Sequence, residues 1–433
     1  MTSDETVSTG PLYKYAVRDL QKASILLHSI KAEPERLDLV LELQRHLVRC
    51  IVRTELRIKR LKRKRKAPSV APTTQVSRAE ARAKKARMSA LRGRGQELSH
   101  LLFLWRCFGD GIAFVYQSKY SLKHLYYDGQ YNVKESAGFM TEHGRLKRGF
   151  AREYRILLYG IKHKIPVVLS DVTNIVRHGD VCALGGADPV PIEVKTSNNR
   201  NARTDRQDEQ RIQLEAFYAN DGAPQFRGLQ NVRREALTTT EIEYQSIANE
   251  CVATALETGW CSASPESGIT YLACTTFDHV KFEQLGAGRS TLCVSLSAQP
   301  GHLPSYPFTL SFTTANCLAF MQQLLVVFVL IDMAQVKAAF ARRGVHATML
   351  MDGTSSVQIT KTPENLLLGV QRLSELLFLR IATEFLSIEW FAEEFSKVLD
   401  QTAEPITAED VKRLPGLIYE MPPGWEGLVD FYA

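Results

Sequence analysis

The sequence predicts an α/β protein in three parts: a basic helical hairpin over residues 1–110, a core of mixed helix and strand over 111–235, and a C-terminal α/β domain over 236–433. Three observations predict it. Apolar residues recur at steps of three and four between 33 and 66, two alternating runs bounded by turn residues lie near 180 and 193, and strand-like and amphipathic helical runs follow one another beyond 235.

At 433 residues, 45% hydrophobic and 23% charged, the composition is that of a globular protein able to bury a core. The eight cysteines are scattered without any C-x-x-C pair, so the sequence suggests neither a zinc site nor a disulfide framework, and a reducing cytoplasm fits best. A polar, acidic start lacks the marks of a secretory signal, and the most apolar run, 317–331, is too short to span a bilayer. The expectation is a cytoplasmic protein with no membrane partner, in which 317–331 is one buried helix.

Charge is unevenly placed. Residues 1–100 hold 23 Lys and Arg against 10 Asp and Glu, although the whole chain carries only +7. Within this block Leu37, Leu41, Val48, Ile51 and Ile58 form a near-heptad stripe, widened by Val40, Leu43 and Leu47, which predicts a helix from about 33 to 66 ending in "RIKRLKRKRK". A Pro/Ser/Thr segment follows, and Ser77 with Glu80 has the spacing of a capping box for a second helix. Two readings fit: a bundle arm whose cations face water, or a clamp for a polyanion, above all nucleic acid. The stripe also suits a homodimer through these N-terminal helices.

A helical pattern over 139–163 places Leu146, Phe150, Tyr154, Leu157 and Leu158 on one face. Beyond 235, "GITYLACT" and "TLCVSLS" read as strands, "HATMLM" and "SVQIT" as a hairpin around Asp352-Gly353, and Thr362-Pro363-Glu364 as the start of a helix running to about 399.

The chemistry concentrates in "HGDVCALGGADPVPIEVKTS", residues 178–197. Alternation puts Glu193 and Lys195 on one face of a strand and Ile192 and Val194 on the other. Folding the run at "GGADPV", with Leu184 opposite Pro191, sets Cys182 opposite Glu193 and Asp180 opposite Lys195, so that Asp180 is a diagonal neighbour of Glu193. Two carboxylates so close repel unless a cation lies between them, and hard oxygen ligands suit Mg²⁺, with Mn²⁺ as a substitute. The bland alternative is a half-exposed hairpin with a cross-strand ion pair.

Asp180, a spacer of twelve and then Glu193-Val194-Lys195 resembles the PD-(D/E)XK nuclease superfamily, with Gly179 where a proline is usual. The resemblance covers about residues 139–235. It implies a restriction-endonuclease-like α/β core in which Asp180, Glu193 and the Val194 carbonyl bind the metal and Lys195 serves the nucleophile. It also offers Glu153, ahead of Glu142, as a further acid on the preceding helix, and Gln213 in "QLEAFY" on the following one. The activity it implies is metal-dependent hydrolysis of phosphodiester bonds in DNA or RNA, of the kind used in genome defence or repair. A non-catalytic nucleic-acid-binding protein or an oligomeric scaffold with the same fold is the alternative.

Overall fold

Three helices open the chain: α1 (Val17–Ala32), α2 (Leu37–Lys66) and α3 (Arg78–Tyr116). The structure is a computed structural model that describes residues 13–66, 78–118, 121–122, 125, 136, 138–141, 143–194, 202–226, 229–234, 237–276, 290–299, 308–351 and 355–402. The chain divides into two compact units, Met1–Arg234 with Gln299–Leu310, and Glu235–Ala298 with Ser311–Ala433.

In the first unit α1, absent from the sequence reading, buries Leu20, Ala23, Leu27 and Ile30 at helical spacing. On α2 the buried row is Val40, Leu43, Leu47 and Ile51, while Leu41 and Val48 are only half-buried. The stripe is therefore centred one residue off the expected seam. It is covered by α1 and α3 of the same chain. The hairpin of α2 and α3 is present, but it is not a domain of its own. A boundary at 110/111 would cut α3, whose half from Leu98 to Ala113 is mostly buried, and α2 also carries the central sheet. The Gln44 side chain, fully buried, donates to the Val167 carbonyl at 2.7 Å and accepts the Leu169 N–H at 2.9 Å, serving the strand as a neighbouring peptide would.

That sheet has three short antiparallel strands in the order β1 (Val167–Leu169), β2 (Val181–Ala183) and β3 (Val190–Ile192). Helix α4 (Phe150–Lys162) packs on β1, and Gly160 is where they meet: a methyl group there would overlap the Val167 side chain. The helix is shorter than expected. Met140 and Leu146 form an isolated β-bridge ahead of the helix, so Leu146 is exposed instead of sharing a face with Leu157. After the sheet, α5 (Ala202–Asn220) buries Leu214, Phe217 and Tyr218, and Phe217 stacks on Phe226 of the hairpin β4 (Gly222–Phe226) and β5 (Leu229–Arg233).

The second unit is mixed helix and sheet. A four-stranded antiparallel sheet runs β6-β7-β9-β8, formed by Trp260–Glu266, Ile269–Cys274, Val326–Asp332 and Thr291–Leu296 respectively, with α6 (Gln245–Thr258) against β6 and β7. The run 317–331 is thus half helix and half strand. Helix α7 (Thr314–Met321) stops at Gln323, which takes φ +55°, and the β-branched residues beyond it fill the buried strand β9. The predicted hairpin exists as β10 (His346–Met349) and β11 (Ser355–Thr360); its turn lies outside the described residues. No single helix spans 362–399. Gly369 at φ 150° turns the chain into β12 (Gln371–Ser374), paired with β11, and a long helix returns only at Ile388–Thr402.

Candidate active site

The β2–β3 register differs from the expected one by two residues: Cys182 faces Pro191, and Val181 faces Ile192. Val190 is drawn into the strand because the loop before it is pinned from outside. The Gln117 amide donates to the Leu184 and Gly186 carbonyls at 2.8 and 2.7 Å, and Asp188 accepts from Ser121 Oγ at 2.9 Å and from the Arg234 guanidinium. Pro191, which has no N–H to give, sits on an edge strand, where this matters least.

Beyond Val181 the ladder gives way to a side chain. The Asp180 N–H donates to the Ile192 carbonyl at 2.9 Å, and Asp180 Oδ2 accepts the Val194 N–H at 2.8 Å. The new register brings Asp180 and Glu193 closer along the strands than the diagonal arrangement would. Both bear on one group, Glu153 in the first turn of α4, which is half-buried.

The Glu153 carboxyl is strongly perturbed. Burial raises it first, then repulsion from Asp180, Asp171 and Glu193, with Lys147 opposing, so that it is pushed up to about 7. Asp180 is also held above the usual carboxylate range, by burial and by Asp171, against the Val194 N–H and Lys147, which favour its charge. Asp171 and Lys147 are the members that sequence reasoning missed. Asp171 accepts from Ser136 Oγ at 2.7 Å and from the Gly138 N–H at 3.1 Å, and pairs with Lys147 Nζ at 3.5 Å. Neither has a motif around it; each arrives through a turn that the chain pattern does not announce.

The loop that delivers Asp180 is fastened to α3. Buried Asp110 accepts the Asn174 and Ile175 N–H groups at 2.6 and 3.0 Å and the Asn174 amide at 2.8 Å; burial pushes its carboxyl up to about 6 in spite of these bonds. Arg177, pulled down to about 10 by burial, donates to the Thr173 and Asn174 carbonyls. The sequence "FGDG" at 108–111 carried the signal, because two glycines within an apolar helix call for a close neighbour.

Of the other expected site residues, Lys195 and Glu142 lie outside the described residues. Gln213 is exposed on α5, one position before the buried Leu214, and no hydrogen bond joins it to a described carboxylate. Arg211 is engaged by Glu215 on its own helix at 2.5 Å.

The donor set is one of hard carboxylate oxygens in a half-buried field with a single described lysine beside it, which is chemistry for Mg²⁺ or Mn²⁺ rather than for a soft metal. Among the described residues no three of these carboxylates bring oxygens within 4.8 Å of one another. Repulsion, and the hydrogen bonds of Asp171 and Asp180, hold them apart.

The field itself is measurable. A carboxyl raised above its ordinary value of about 4.5 weakens the fold as it ionises, so the penalty from Glu153 is absent in acid, grows as pH rises towards 7 and is constant above. Glu153→Gln should therefore match the parent near pH 4 and exceed it at pH 8 by about 1 kcal/mol, screening at a half-exposed position removing the rest. Urea unfolding at the two pH values in chelator checks this; an equal difference at both would mean that Glu153 feels no such field.

Comparison of the chain with known protein families, with characterised proteins and with solved structures gives no match.

Proposed function

We propose that this chain is a divalent-metal-dependent nuclease that hydrolyses phosphodiester bonds of DNA or RNA, with a restriction-endonuclease-like core over 111–235. The observation that carries the reading is that Asp180 and Glu193, from adjoining ends of the β2–β3 hairpin, both act electrostatically on the half-buried Glu153 of the preceding helix, whose carboxyl is raised to about 7 by burial first and by these charges after it. Asp180, Glu193 and the Val194 carbonyl would hold Mg²⁺ or Mn²⁺, which when bound stabilises charge on the phosphate and acidifies a water. The chain's own residues do the rest. Lys195, two residues beyond Glu193, orients the attacking water, and Glu153, titrating near neutrality, is suited to take a proton from it. The Val194 N–H fixes one Asp180 oxygen and leaves the other for the ion.

Affinity comes from elsewhere. On α2 beyond Glu55 and on α3 before Leu98 no described residue is buried, and Arg57, Arg60, Lys62, Arg63, Lys64 and Arg65 are all exposed. Such an arm gains most from a phosphate backbone, which it grips without regard to sequence. Replacing Lys62, Arg63, Lys64 and Arg65 together by Gln should weaken duplex binding at low salt and reduce the slope of log affinity against log salt by up to about 3.6. Anisotropy titrations over a salt series read both; an unchanged slope would show that the arm does not touch phosphates.

The decisive experiment incubates the purified chain with plasmid, linear duplex, single-stranded DNA and RNA, in Mg²⁺ or chelator, beside Lys195→Ala. Metal-dependent cleavage lost on substitution supports the nuclease. Binding that ignores chelator and substitution, without cleavage of any substrate, replaces it with the binding-protein reading.

A further inference from the structure

A second cluster, in the first unit, has a different chemistry. His46 and Cys50 are one turn apart on α2 and buried, 2% and 3% exposed, and Asp19 reaches them from the first turn of α1. His46 Nε2 is the hub, 2.9 Å from the Asp19 carbonyl, 3.9 Å from Asp19 Oδ1 and 3.7 Å from Cys50 Sγ. One ligand atom from each residue lies within 4.8 Å of the others, which is true of no other trio of such side chains among the described residues.

These spacings approach those of a coordination shell. Metal bonds of about 2.0–2.3 Å at tetrahedral angles place neighbouring ligand atoms roughly 3.3–3.6 Å apart, so the Nε2–Sγ edge of 3.7 Å is already close to that length and the Nε2–Oδ1 edge of 3.9 Å needs to close by about half an ångström. A thiolate, an imidazole and a carboxylate select Zn²⁺ over Mg²⁺. The histidine can change tautomer at small cost. Its Nδ1 is buried without a hydrogen-bond partner beside the edge-on Trp105 ring, so moving the proton there from Nε2 gives up only the bond to the Asp19 carbonyl.

Charge also balances. One carboxylate and one thiolate neutralise the divalent ion, the Cys50 proton leaving to solvent, while Lys22, Arg49 and Arg53 stand around the rim, Lys22 paired with Glu42 and Arg53 3.9 Å from Asp19 Oδ2.

We infer that Asp19, His46 and Cys50 form a Zn²⁺ site that ties α1 to α2, with a water in the fourth position on the open Asp19 side. It lies two residues from Gln44, whose amide holds β1, and so braces the helix that supports the sheet.

The test uses the full chain, reduced and metal-free, titrated with Co²⁺ as a coloured stand-in. One equivalent should produce tetrahedral cobalt absorption with a thiolate-to-metal charge-transfer band, and Zn²⁺ should bleach both. Cys50→Ser should remove the charge-transfer band, and Asp19→Asn, at a half-exposed position, should weaken Co²⁺ binding by at least about tenfold. Asp180→Asn should leave the spectrum unchanged, which separates this site from the nuclease reading. No tetrahedral spectrum at one equivalent, or a charge-transfer band that survives Cys50→Ser, overturns the inference. If Cys50→Ser does not fold by circular dichroism, Asp19→Asn decides alone, and undiminished affinity in that variant overturns it.

Discussion

Asp180→Asn is expected to cut metal-dependent cleavage at least about a hundredfold while leaving the protein as stable as before or slightly more so. The substitution separates charge from architecture. Asp180 Oδ2 accepts the Val194 N–H, and the Asn side-chain oxygen can accept the same bond, so the hairpin end keeps its shape. What disappears is a charge that burial and Asp171 both disfavour, and whose removal relieves Glu153 as well. A residue present only for the fold would behave in the opposite way, losing stability in step with activity. Metal linkage gives an independent reading. An ion that binds only the folded chain, supplied at a hundred times its dissociation constant, adds about 2.7 kcal/mol of stability. Mg²⁺ should therefore raise the melting temperature of the parent and not of Asp180→Asn. Cleavage at the parental rate by the variant would remove Asp180 from the active centre, and with it the proposed function.

Much of this site is legible in the sequence because it rests on alternation. The period of two puts Asp180 and Glu193 within reach of one another in either register, since a slip of two residues preserves the face of every side chain. The register itself was not legible. It is set by Gln117, Ser121 and Arg234, each distant in sequence, which grip the 184–189 loop. Asp171 was missed for the same reason: its position depends on a single turn of 3-10 helix packed on α3, and no local pattern specifies that contact. In the second unit the strand runs at 269–274, 291–296, 346–349 and 355–360 are legible as short apolar runs between turn residues, whereas Val326–Asp332, the run richest in β-branched residues, is hidden by its continuity with the apolar helix before it. The expected helices at 317–331 and 362–399 failed where a positive φ at Gln323 and Gly369 breaks a run that composition alone presents as continuous.

The contact between α3 and that 3-10 turn leads to the largest expected effect on folding. Gly109 is buried in the interior of α3, and a methyl group built on it would overlap the Val172 carbonyl oxygen, a backbone atom that cannot swing aside. Gly109→Ala should destabilise the first unit by about 3 kcal/mol, overpacking exceeding the gain of up to about 1 kcal/mol that alanine brings to a helix. Gly93 is the matched control on the same helix, with nothing within 4 Å of its added carbon, so Gly93→Ala should stabilise by up to about 1 kcal/mol. Urea unfolding of both variants gives the sign directly. The consequence reaches the site, because Val172 follows Asp171, and the Asn174 and Ile175 N–H groups beyond it are bonded to Asp110, the neighbour of Gly109. Any shift that accommodates the methyl must move the turn that presses on Asp180 and Glu153. Gly109→Ala protein that remains folded at low temperature should accordingly lose cleavage activity, whereas Gly93→Ala keeps it. Equal stability of the two variants would mean that α3 and the 170–172 turn are not in the close contact on which the placement of the carboxylates depends.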